Sequence, residues 1–99
     1  MANVTAALAG VIATWEAAEA AYRSAVNADG EDHDELWNAK EDAETAMIRH
    51  PCVTLDDVRA KAVIIMRDEN VLDSVTNCMV GGEHVQLIFL RSLLGEALR

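Results

Sequence analysis

The sequence predicts an all-α fold: a long antiparallel helical hairpin packed by a C-terminal helical half, bundle-like, in one domain over residues 1–99. Three observations carry this. Apolar residues recur at steps of three and four, the period of a helix face, rather than alternating as in half-buried strands. Eleven of the first 28 residues are alanine, the strongest helix former. One proline, five glycines and four aromatic residues are too few for a turn-rich β-sandwich or barrel. Val, Ile, Leu and Phe make up about a quarter of the chain, above the roughly 20% below which disorder is expected. A domain this small buries about two-thirds of its unfolded surface, so its core is adequate rather than generous.

The hairpin is predicted over about residues 3–49. Val4, Leu8, Val11, Trp15, Ala18, Tyr22 and Ala25 form one stripe, widened by Ile12 and Val26. The alanines between them keep the flanks thin, so a partner helix can approach closely. Gly30 suits the left-handed conformation that ends a helix, which places the first stop near residues 27–30. A second helix is expected to begin within 30–35, where Asp32 and Glu35 have capping-box spacing. Its stripe reads Leu36, Ala39, Ala43 and Ala46, with Trp37, Met47 and Ile48 beside it, and Pro51 ends it. Counting back from the turn sets Trp15 level with Ala43, large against small. Trp15, Tyr22 and Met47 are expected to be buried, and Glu16, Glu41 and Asp42 exposed.

The C-terminal helices are predicted over about 54–98. Thr54 is a good N-cap with Asp57 three residues on, and Val53 and Val58 have the spacing of a hydrophobic staple. Leu55, Val58, Ala62 and Ile65 continue as a stripe, while Val63, Ile64 and Met66 make this helix apolar on more than one side. The register blurs at "RDENV", which predicts a break or kink. Leu72, Val75 and Met79 are spaced to carry helix to about residue 79, with a loop as the competing reading. Gly81 and Gly82 interrupt the chain again. The last helix, about 83–98, is apolar nearly all round: Val85, Leu87, Ile88, Phe89, Leu90, Leu93 and Leu94.

The formal net charge is −9, and the acidic density lies in "DGEDHDE" and "EDAE". No basic stretch exists, which disfavours direct nucleic-acid binding. The longest uninterrupted apolar runs are about five residues, far short of the ~20 that span a membrane. No lysine or arginine precedes Arg23, so the apolar start lacks the basic region of a signal peptide and a cytoplasmic location is expected. Two cysteines make no disulfide framework and read as thiols in a reducing compartment.

The strings "TWEAAEAAY", "LWNAKEDAETAM" and "PCVTLDDVRAK", over about residues 14–61, and the terminal "LRSLLGEAL" resemble a family of small all-helical proteins of alphaproteobacteria. That family is common in rhizobia and sometimes encoded near prophage genes. Residues 68–83 do not match it well. The resemblance implies a helical hairpin and a bacterial cytoplasmic origin, and it transfers no activity to any residue.

Several groups of residues bear on possible chemistry. Glu16-x-x-Glu19 and Glu41-x-x-Glu44 have the form of the carboxylate pairs with which helical pyrophosphohydrolases of the MazG type hold Mg²⁺. On the predicted stripes, however, Glu16 and Glu44 turn away from the facing helix, Glu41 lies opposite it, and only Glu19 borders it. The acidic run from Asp29 to Glu35 lacks the glycine and the distal glutamate of a calcium loop, and a helix N-terminus accounts for it. His50, Cys52, Cys78 and His84 lack zinc-finger or ribbon spacing. His50 beside Cys52 has nothing to organise a nucleophile's pocket. "GGEH" at 81–84 lacks the flanking strand of a phosphate loop. Trp15, Tyr22 and Trp37 at helical spacing read as core before they read as a stacking platform. No catalytic, metal or cofactor-binding residue is therefore assigned, and no cofactor is expected. The expectation is a non-enzymatic interaction protein that forms a homodimer or binds a protein partner, with Trp37, Leu87, Leu90, Leu94 and Leu98 as the candidate interface. The alternatives are a MazG-like Mg²⁺-dependent pyrophosphohydrolase and an acidic antitoxin-like or DNA-mimic regulator.

Overall fold

The computed structural model describes residues 4–95. The first helix, α1, spans Ala6–Asp29, and the second, α2, spans Asp34–Arg49; they pack as an antiparallel pair. Gly30 closes α1 in the left-handed conformation (φ 69°), its N–H bonded to the Val26 carbonyl. The cap expected at Asp32 does not form: His33 stands at the head of α2 and makes no side-chain cap bond. Asp29 organises this turn instead. Its carboxylate accepts from the Glu31 amide at 2.9 Å and meets His33 Nε2 at 2.9 Å, so the chain enters the helix one residue later.

The face that α2 buries also differs from the expected stripe. Lys40, Glu44, Met47 and Ile48 are buried, while Ala39 and Ala46 are exposed. Trp15 and Met47 are buried as expected, and Glu16 and Asp42 are exposed. Tyr22 and Glu41 are each half-buried, Tyr22 because it lies against Trp37, edge to face at 5.2 Å, rather than in the core.

Helix α3 spans Leu55–Arg67 and begins with the capping box read from the sequence: Thr54 accepts from the Asp57 amide, and Asp57 reaches back to the Thr54 amide. The staple is absent, since Val53 is exposed. The Val53 amide is drawn to the Asp57 carboxylate at 2.8 Å, which leaves its side chain outside. Thr54→Ala should cost about 1 kcal/mol in urea denaturation, because a first-turn amide loses its partner. An effect near zero would mean the cap adds nothing. The inward face is Asp57, Ala60, Lys61 and Ile65, so Leu55, expected on the stripe, is exposed.

The break expected at "RDENV" falls at Asp68, which closes α3 and N-caps helix α4, Glu69–Asn77. Helix does not continue to Met79. Strands β1 (Met79–Val80) and β2 (Glu83–His84) pair antiparallel, Met79 opposite His84, around a two-residue turn. Gly81 and Gly82 both take positive φ, 58° and 80°, which such tight turns require. "GGEH" therefore does have a flanking strand, though one two residues long. Helix α5 follows at once as Val85–Leu94, shorter than expected at its start because Glu83 and His84 belong to β2.

Trp15, Met47, Ile48, Ile65, Val71, Val75, Val85 and Ile88 form one core cluster, to which all five described helices contribute. Buried polar links tie the elements around it. Asp57 accepts from the Thr5 amide at 2.8 Å as well as from its own cap, joining the start of α1 to that of α3. Lys61 Nζ donates to the carbonyls of Ile48 (2.9 Å) and His50, satisfying the open end of α2. The Cys52 amide donates to the Ser92 carbonyl at 2.8 Å and fixes the α2–α3 connection on α5. No helix among the described residues is long and apolar enough to cross a membrane.

Candidate functional site

Helix α5 has two opposed apolar faces. At 100° per residue, Val85, Ile88 and Ser92 fall on one side, and all three are buried. Leu87, Leu90 and Leu94 fall on the other and remain 52%, 47% and 56% exposed. Three leucines at i, i+3 and i+7 make a continuous stripe along the outer side of the helix. The segment itself carries little charge. Between Cys78 and Gly95 the formal charges are Glu83 and Arg91, and these two pair with each other. The stripe thus lies on a segment without net charge in a strongly acidic protein.

Of the other candidate interface residues, Trp37 is 39% exposed but engaged within the hairpin. Its ring meets Tyr22 on one side, and the Lys40 ammonium lies 4.4 Å from its centroid. Leu98 lies outside the described residues.

The four glutamates of the pyrophosphohydrolase-like pattern have different surroundings. Glu16 is exposed. Glu19 is half-buried, paired with Arg23 and close to the Asp68 carboxyl. Glu44 is 3% exposed, and both its oxygens accept from Ser74 Oγ, at 3.2 and 3.3 Å. Burial first, and then the adjoining Glu41 carboxyl, push Glu44 up to about 7. Burial and the Asp68 carboxylate also raise Glu19 above the ordinary carboxylate range. On the stripe expected from the sequence Glu44 turns away from the packed face, whereas in the structure it is buried. The signal that it is buried is Ser74, thirty positions away on α4.

Among the described residues, no three His, Cys, Asp or Glu side chains are grouped to hold a metal ion. Cys52 is buried, and burial raises its thiol; Cys78 is exposed. The buried Lys61 is lowered to about 8 by burial, but its ammonium is committed to the end of α2. A cleft of about 370 Å³ opens where α2 ends against α5, lined by Arg49, Pro51, Ile88, Ser92 and the Glu83–Arg91 pair. Arg91 is neutralised there by Glu83, so among the described residues the cleft offers one uncommitted guanidinium, that of Arg49 at its exposed edge.

Comparison of the chain with protein-family models, with curated proteins and with solved structures finds no match to any of them.

Proposed function

We propose that this chain is a small non-enzymatic interaction protein that pairs with a second copy of itself through the Leu87–Leu90–Leu94 face of α5. The observation behind this reading is the second apolar face of that helix, left open after the first is spent on the core. An exposed leucine by itself means little, but a stripe of three on one helix marks a surface to be covered. A second copy is the occupant favoured by charge. Within the α5 segment Glu83 and Arg91 pair with each other, so two copies meet along this helix without a net charge of either sign on it. A two-fold axis across the stripe makes one patch serve both sides.

The pyrophosphohydrolase reading is less well supported, because Glu16 faces solvent while Glu44 is sealed beneath α4.

Sedimentation equilibrium at tens of micromolar should give a mass above the 10.8 kDa of one chain, approaching twice that value as concentration rises. Leu90→Glu and Leu94→Glu should return it to the monomer with little change in thermal stability, since both side chains already lie half in water. A wild-type monomer throughout, or a dimer indifferent to both substitutions, would remove this function.

A further inference from the structure

The cleft between the end of α2 and helix α5 holds two guanidinium side chains, Arg49 and Arg91, and one carboxylate, Glu83. That is an excess of positive charge on a chain whose formal net charge is −9. Glu83 is the partner of Arg91, in a pair whose side chains are about half in water. An ion pair so open to solvent is weak and readily exchanged. Arg49, exposed at the rim, enters no ion pair among the described residues.

The ordinary reason for an arginine in such a place is the helix end. Arg49 lies in the last turn of α2 and Arg91 in that of α5, where a cation suits the negative end of the backbone dipole. Both ends carry other donors. The buried Lys61 ammonium donates to the carbonyls of Ile48 (2.9 Å) and His50 at the end of α2. On α5 the Ser92 carbonyl accepts from the Cys52 amide at 2.8 Å and from the Gly95 amide. The Arg49 guanidinium is therefore not needed to close α2.

The walls of the cleft are fixed without a ligand. The Cys52–Ser92 bond holds the α2–α3 connection on α5. Gly95 closes against that connection, so near that a β-carbon there would stand 2.8 Å from the Cys52 carbonyl oxygen. Pro51 and Ile88 supply an apolar floor. The buried Ser92 hydroxyl spends its hydrogen on the Phe89 carbonyl, which leaves an acceptor and no donor for the cleft. A volume of about 370 Å³ lies at the small end of ligand pockets. Such a site has one place for negative charge, the Arg49 edge, and an apolar remainder.

We propose that this cleft binds a small organic monocarboxylate, with its carboxylate on the Arg49 guanidinium and its apolar body against Pro51 and Ile88. A planar guanidinium meets a carboxylate with two parallel N–H donors. One negative charge fits better than two, because Arg91 is balanced by Glu83 and the Glu83 carboxylate repels the second charge of a phosphate.

A ¹H–¹⁵N titration of the full chain with sodium benzoate at low ionic strength tests the site, with benzamide (its uncharged analogue) and inorganic phosphate as the other probes. Benzoate should shift the amides of Arg49, Ser92 and Gly95 along one saturable curve, with a Kd in the millimolar range that so small a ligand reaches. Amides in the middle of α1 should stay in place. Benzamide and phosphate should each bind at least about fivefold more weakly, and Arg49→Gln should weaken benzoate by a similar factor, the loss of a charge-assisted contact at an exposed edge. That substitution should leave thermal stability unchanged, since Arg49 lies in water. Glu83→Gln frees Arg91 and should tighten benzoate by about twofold or more. Shifts that never saturate, benzamide or phosphate binding as well as benzoate, an Arg49→Gln chain that binds benzoate like the wild type, or a Glu83→Gln chain that binds it no better would each overturn the proposal.

Discussion

Asp57→Ala is expected to destabilise the protein by about 3–5 kcal/mol in urea denaturation, because it strands several buried donors at once, each costing about 1–3 kcal/mol when unpaired. The carboxylate is fully buried and accepts from the amides of Thr5, Val53 and Thr54 and from the Thr5 hydroxyl. It is the common anchor of two helix starts, and it lies fifty-two positions from Thr5. Burial alone would raise this carboxyl, but the amide bonds from Thr5, Val53 and Thr54 outweigh burial and hold it down to about 2. A group lowered in this way adds stability that is present above its ordinary value of 3.8 and is lost as pH falls through about 2. The wild type should therefore lose stability between about pH 4 and 2, and Asp57→Asn should lose less over that window from an already lower start. A cost below 1 kcal/mol for Asp57→Ala, or equal acid sensitivity in Asp57→Asn, would show that the anchor is dispensable.

Trp15→Ala should cost a similar amount, about 3–5 kcal/mol, through lost burial and the cavity left behind. Trp15 is the one large aromatic side chain in the central cluster, packed among residues from the four other helices. Either change removes a large share of the 5–15 kcal/mol that holds a typical domain together. Trp15→Phe should cost much less. The indole N–H is buried without a hydrogen-bond partner among the described residues, so phenylalanine gives up volume but also removes an unpaired donor. A denaturation midpoint unchanged in Trp15→Ala would place this side chain outside the core. A Phe variant as unstable as the Ala variant would show that the ring's full size, and not its burial alone, is what the site requires.

Several helix limits were legible because they rest on chemistry within a few residues. Gly30 takes the left-handed cap, Thr54 and Asp57 close a box across one turn, and the break at Asp68 and the turn at Gly81–Gly82 stand where the register fails. The β-hairpin was not legible. Two-residue strands carry no period, and Met79 continues the spacing of a helix that in fact stops at Asn77. The helix faces were legible where the buried residues are apolar, as with Leu8 and Trp15 on α1, and misleading where they are charged. On α2 and α3 the inward positions include Lys40, Glu44, Asp57 and Lys61, and a count of apolar residues rotates both helices away from them.

From the sequence by itself came an all-α chain, an antiparallel hairpin, the helix boundaries at Gly30, Thr54 and Asp68, and a last helix too apolar to be covered on one side. Local backbone chemistry and the helical period suffice for those. Which side of α5 stays open, and which charges turn inward, only the tertiary structure decided. A charge goes inside when a partner waits there, and the partners here are remote in sequence: Ser74 for Glu44 and Thr5 for Asp57. Burial of an ionisable group depends on what the rest of the fold brings to it, and no spacing along one helix records that.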